Sequence, residues 1–232
     1  MRLDKFLVHM GIGSRKDVKN LVKRKLVSVN GTIAKSSDVK VDENHDEILV
    51  DGQRIIYQEY YYLMLHKPAG YLSTTEDRNA PTVLDLIDGY EHVNLFPVGR
   101  LDKDTEGLLI LSDDGIMAHE ILSPKHHIDK EYYVEVSDEL KEELIETFKK
   151  PMDLGDFTTM PATLKIIDSH SAYIIIHEGK FHQIKRMFEK VNNKVTYLKR
   201  IRMGKIHLDP DLKIGDYREL TKEEIDLLKG EK

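Results

Sequence analysis

The chain has 232 residues, 40% apolar and 33% charged, and no cysteine. That is the make-up of a globular protein of one or two domains, and it excludes disulfides, thiolate metal sites and a cysteine nucleophile. No run approaches the roughly 18 apolar residues of a membrane span, and the opening MRLDKFLVHMGIG lacks the apolar core of a signal peptide, so a cytoplasmic protein with no membrane partner is expected. The net charge of −6 hides an asymmetry: residues 1–40 hold ten Lys/Arg against three acids, while residues 41–232 hold 25 bases against 38 acids. A basic head, able to attract a polyanion, precedes an acidic body.

Residues 2–9 read as a short helix with Leu3, Phe6 and Leu7 on one face. Ser14 is a suitable N-cap for a second helix reaching residue 25, with Val18, Leu21 and Val22 as its apolar stripe. Its other face carries Arg15, Lys16, Lys19, Lys23, Arg24 and Lys25. An alternating strand from Val27 then enters an Asn30-Gly31 hairpin turn, and residues 47–50 read as another strand closed by Asp51-Gly52. RLDKFL, SRKDVKNLVKRKLVSVNG and ILVDG together resemble the S4 RNA-binding module. The resemblance implies a helix pair held against structured RNA, with Arg15, Lys16, Lys19 and Lys23 at the contact. Residues 51–60 read as a flexible linker, so the expected division is 1–58 for this module and linker and 59–232 for a catalytic domain.

The body opens with an apolar, aromatic-rich run at 60–65, expected to be a core strand, and a Pro-Ala-Gly turn after His66 and Lys67. Residues 79–89 read as a Pro-started helix with Val83, Leu84, Leu86 and Ile87 inward, and 96–98 as a short strand. Residues 99–115, GRLDKDTEGLLILSDDG, follow. Their second half is a buried strand ending in a turn, and their first half delivers Arg100, Asp102, Asp104 and Glu106 to its edge. GRLDKDTEGLL resembles the signature of the RNA pseudouridine synthases, specifically the RsuA family of bacterial small-subunit rRNA enzymes. In that family the Asp of GRLD is the catalytic carboxylate, which falls here on Asp102. Arg100 would fill the hole left in the RNA by a flipped uridine. Asp104 and Glu106 read as structural or solvated.

Beyond it, residues 115–122 read as a helix ended before Pro124, and 130–136 as an alternating strand. Lys130 and Tyr132 resemble the family's second motif, in which the tyrosine lies beside the target base. A charged amphipathic helix is expected over 138–149 and a hairpin over 162–168 and 172–177. EGKFHQIKRMF, at 178–188, resembles the third motif, where a basic residue pairs with the catalytic carboxylate. Many synthases carry Arg after Gln-aliphatic; here Lys185 is the first choice and Arg186 the second, since Lys keeps the charge without bidentate geometry. The tail from Tyr197 predicts one more strand pair and a last helix.

The family resemblance implies an α+β pseudouridine synthase fold, a large mixed but mainly antiparallel sheet with flanking helices and a central cleft, behind a small α/β S4 domain. It implies isomerisation of uridine in 16S rRNA, at the helix 18 uridine of position-516 type, with 16S rRNA or a small-subunit assembly intermediate as partner; a monomer is the default expectation. The conversion exchanges no electrons and needs no group donor, so neither a cofactor nor a metal is expected. His119, His126 and His127 are the tight histidine cluster, and their spacing fits no zinc motif. A single carboxylate suffices for attack at C1′, attack at C6 or elimination to a glycal. The same chemistry on 23S rRNA or tRNA, and a catalytically idle RNA-binding or ribosome-assembly protein, are the rival readings.

Overall fold

The computed structural model describes residues 1–123 and 128–230. They fall into two compact units, Met1–Tyr61 with Asp88–Leu95, and Tyr62–Ile87 with Phe96–Lys232. Among the described residues no helix is long and apolar enough to cross a membrane.

In the first unit, helices α1 (Leu3–His9) and α2 (Arg15–Lys23) accompany strands β1 (Val27–Val29), β2 (Thr32–Ile33), β3 (Ile48–Val50) and β4 (Gln53–Ile55), paired in the order β2-β1-β3-β4. Leu3, Phe6 and Leu7 of α1 and Val18 and Val22 of α2 share one core with Val27 and Ile48. α2 starts where a capping box forms: Ser14 accepts from the Asp17 amide, and Asp17 accepts from the Ser14 amide. Asn30-Gly31 and Asp51-Gly52 both take positive φ, at 51° and 75° and at 49° and 80°, the geometry that lets a two-residue turn follow the strand twist. The second turn corrects the linker expected at 51–60. The chain reverses there into β4, and Tyr57 then stacks on Phe6 with ring centroids 5.8 Å apart.

The second unit is built on one nine-stranded sheet. Its strands are β5 (Tyr62–Lys67), β6 (Phe96–Val98), β7 (Glu106–Ser112), β8 (Lys130–Val136), β9 (Thr163–Ile166), β10 (Ser171–Ile176), β11 (Val195–Met203), β12 (Ile206–His207) and β13 (Tyr217–Glu219). The main path runs β13-β5-β7-β11-β8-β10-β9, with β6 on β7 and β12 on β11. β7 and β11 run parallel and the other paired strands are antiparallel, so the sheet is mixed and mainly antiparallel, as expected. Every residue of β5 is buried, consistent with its unbroken apolar start, whereas β8 buries Tyr132, Val134 and Val136 and leaves their neighbours half-exposed. The helices are α3 (Gly115–Leu122), α4 (Glu143–Phe148), α5 (Gln183–Lys190) and α6 (Lys222–Lys229).

Two expected helices are shorter than their patterns. Over 79–89 only a 3-10 turn, Val83–Leu86, forms. The Leu72 amide bonds to Pro81 O and Leu72 O accepts the Val83 amide, so the preceding residues are held extended. Over 138–149 the helix is confined to α4: Asp138 O, which would accept the Glu142 amide in a helix begun there, accepts from Asn193 Nδ2 at 3.0 Å, and the Leu140 amide is drawn to Ser169 O at 2.7 Å. Tertiary hydrogen bonds outcompete local periodicity in both places.

Candidate active site

The acid-rich turn at 99–105 joins two strands that are neighbours in the sheet, β6 and β7. Its backbone is fastened from several sides. The Ser73 hydroxyl donates to Leu101 O at 2.9 Å and accepts the Leu101 amide at 3.1 Å. The Gly70 amide bonds to Lys103 O at 2.7 Å. Beneath the turn lies Lys67, the last residue of β5 and fully buried. Its ammonium donates toward Pro68 O (3.0 Å), Asp102 O (3.2 Å), Lys103 O (3.2 Å) and Thr105 O (2.8 Å). A buried cation surrounded by carbonyls is satisfied without a carboxylate partner. Burial pulls the Lys67 pKa down to about 8, although Asp104, Asp102 and Glu106 act against that fall.

The turn presents Asp102 to a cleft also lined by Tyr132, Leu198 and Lys185. Lys185 Nζ lies 3.0 Å from Asp102 Oδ2 and 2.6 Å from Asp104 Oδ1, so one ammonium bridges two carboxylates. Burial lowers the pKa of Lys185, but the hydrogen bonds it donates to Asp104 and Asp102 more than offset it and the net shift is upward. For Asp104, burial pushes up and the Lys185 bond and charge bring the pKa below the usual carboxylate range. Lys185 reaches the turn because α5 is amphipathic: Ile184, Met187 and Phe188 face the core, and Lys185 projects from the flank of that face, its side chain only 18% exposed. His182, with left-handed backbone at φ 50°, caps the helix and places its Nε2 3.8 Å from Asp102 Oδ1.

Tyr132 is 6% exposed and faces Arg200 across the β8–β11 ladder. Asp102, Tyr132 and Lys185 therefore share one cleft. Arg100 lines the same cleft and is exposed. Arg186 does not point to Asp102: it forms an ion pair with Asp156, donates to Leu154 O at 2.8 Å and lies over the Phe157 ring. Lys130 is half-buried, donates to Ile128 O at 3.1 Å, and has its pKa lowered by burial and by the charge of Arg200. In the first unit Arg15, Lys16, Lys19 and Lys23 are all exposed on α2. His126 and His127 lie outside the described residues, as do Pro124 and Lys125 in the stretch before the second motif.

Sequence reasoning passes over four residues here. Lys67 by its own pattern reads as turn decoration, although HKPAGYLSTTED resembles the family's opening motif, which implies a part in the substrate cleft; the signal for its burial is its place at the end of an apolar run. Asp104 reads as structural or solvated, yet it shares Lys185 with Asp102. His182 lies inside a recognised motif without a role. Arg200 lies unremarked in the strand pair expected after Tyr197; it is 1% exposed, its Nε donates to Leu108 O at 2.8 Å, and its Nη2 has no partner among the described residues. A carboxylate paired with an ammonium beside a tyrosine, above apolar side chains, is equipped to attack an electrophilic carbon or to move a proton at a bound ring.

The sequence model of the RNA pseudouridylate synthases matches residues 61–190, and that of the S4 domain matches residues 1–48. An uncharacterized RNA pseudouridine synthase of Bacillus subtilis (strain 168) is 46% identical over 234 residues, covering 98% of this chain and 98% of that protein. The ribosomal small subunit pseudouridine synthase A of Escherichia coli (strain K12) is 40% identical over 228 residues, covering 97% of this chain and 98% of that protein. A crystal structure of a pseudouridylate synthase superposes with a TM-score of 0.70 at 37% identity, covering 98% of this chain and 99% of that one.

Proposed function

The chain belongs to the RNA pseudouridine synthase family, and from that premise we propose that it isomerises a uridine of small-subunit rRNA, with Asp102 as the catalytic carboxylate. The observation that carries this reading is the Asp102–Lys185 pair, 3.0 Å apart, in a cleft that also holds Tyr132. The target is the 16S helix 18 uridine of position-516 type, in keeping with several relatives at about 40% identity that are named for the small subunit.

In the reaction the N1–C1′ bond breaks, a C5–C1′ bond forms, the C5 proton leaves and N1 regains a proton. Atoms and electrons balance within the uridine, so no co-substrate is consumed. A uridine inside a helix is out of reach, and must be unstacked into the cleft. There Tyr132 lies beside the ring, Asp102 attacks or takes the proton, and Lys185 holds the carboxylate in place. Arg100, exposed at the rim, occupies the gap left in the RNA. The cations of α2 bind phosphates, which fixes register on a structured RNA without reading its sequence.

The test is carbodiimide primer extension on 16S and 23S rRNA, naked and partly assembled, after incubation with wild-type protein and with Asp102→Ala. A stop at the helix 18 uridine with wild type only is the expected outcome. A stop elsewhere would retain the chemistry and replace the substrate. Tight RNA binding with no stop on any RNA would favour the idle RNA-binding reading.

A further inference from the structure

Phe181 is 74% exposed, a position that forgoes the burial free energy of a large apolar ring. It is also held there. One face of the ring stacks on the His182 imidazole, with centroids 3.8 Å apart and planes within 17°. The turn that carries both residues is braced from below: the buried Gln183 accepts the Lys180 amide at 3.1 Å and donates to Glu178 Oε1 at 2.8 Å. The stack is thus a preformed aromatic surface with its outer face toward solvent.

Its position gives that face a use. His182 is the inner partner and reaches within 3.8 Å of Asp102 Oδ1. The exposed bases Lys180 and Arg100 line the same cleft and supply charge for phosphates. Tyr132, only 6% exposed, meets a base inside the cleft. A ring outside it meets a base that stays out. We propose that the Phe181–His182 stack is a binding platform for the base of an unpaired nucleotide adjacent to the reacting uridine. The proposal rests on the reading of the Asp102 cleft as the place where uridine in RNA is isomerised. Stacking on an aromatic face tolerates any base, so the platform contributes affinity and placement rather than base identity.

The test uses the full chain carrying Asp102→Asn, so that bound RNA is not consumed. It is titrated with a 16S rRNA fragment spanning the helix 18 uridine, in which each neighbouring nucleotide is made abasic in turn. One abasic position is expected to weaken binding about tenfold or more, and Phe181→Ala to weaken binding of intact RNA by a similar factor. The two changes together should do no more than either alone. Phe181→Trp should restore binding, and Phe181→Leu, apolar but without a π face, should not. With Asp102 present, Phe181→Ala should raise KM more than it lowers kcat. Independent effects of the two changes, or unchanged affinity in Phe181→Ala, would overturn the platform. Phe181-dependent binding by a protein that converts no uridine would overturn the Asp102 reading and leave the platform standing. A fragment that does not bind at all would overturn both.

Discussion

Lys67 is a buried cation beneath the turn that bears Asp102. A protonated amine has three donors, and four carbonyls at or beside the turn bearing Asp102 lie within 2.8–3.2 Å of it. Burial, reinforced by Arg200 and opposed by Asp104, Asp102 and Glu106, draws its pKa from 10.5 to about 8. As pH rises through about 8, the folded protein loses this proton while the unfolded chain keeps it until about 10.5. The unfolded state therefore binds more protons in that window, and this group's contribution to stability rises with pH. Turnover should nevertheless fall above pH 8, because a neutral amine holds the Asp102 turn less firmly. A kcat–pH profile and thermal melts on the same samples check this: a melting temperature that collapses in step with kcat would refute it. Lys67→Met should lower kcat on the order of 100-fold, the cost of a misplaced catalytic group, and should lack the alkaline limb.

At the scale of elements, the junction of β7 and β11 brings the strand that follows the Asp102 turn beside the strand that carries Leu198 of the cleft. Gly107 stands opposite Arg200 in the parallel pair, at φ +106°. A Cβ there would collide with the Arg200 backbone. Gly107→Ala should destabilise the protein by about 3 kcal/mol or more, combining a disfavoured φ with overpacking against main chain. Urea denaturation checks this, and a destabilisation of no more than about 0.5 kcal/mol would show that the strands part without cost. The strand itself is legible in EGLLILS because a short apolar run closed by Ser-Asp-Asp-Gly is a local pattern. Its parallel partner is not, since nothing local links residue 107 to residue 200. The same distinction explains the shortened helices: periodicity over 79–89 and 138–149 is visible, whereas the competing partners Leu72, Asn193 and Ser169 lie far away in the sequence or act through main-chain atoms.

For the whole molecule, charge is partitioned, with a basic first 40 residues on a chain of net −6. Binding to RNA should then depend on a few cations and be steeply salt-dependent. Reversing Lys19 and Lys23 to Glu, both exposed on α2, should weaken rRNA binding and reduce the slope of log K against log salt by about 2, roughly one for each phosphate that is no longer neutralised. Binding isotherms across a salt series measure it. An unchanged slope would place the RNA-binding surface elsewhere than on α2. The overall charge gives no hint of this division; only the order of charges along the chain does.

Sequence by itself placed most strands, turns and caps, because these are written in neighbouring side chains, and its contiguous motifs carried the family resemblance that implied the mainly antiparallel architecture and singled out Asp102, Tyr132 and Lys185. It left two cations as partners for Asp102. The tertiary structure separates them: on α5, Lys185 turns toward Asp102 and Asp104, while Arg186 is drawn to Asp156 and Phe157. It also decided that Lys67 lies beneath the turn, that Arg200 is buried and that Phe181 is not. Each depends on strands and helices remote in sequence being brought within a few ångströms, where burial and charge act together.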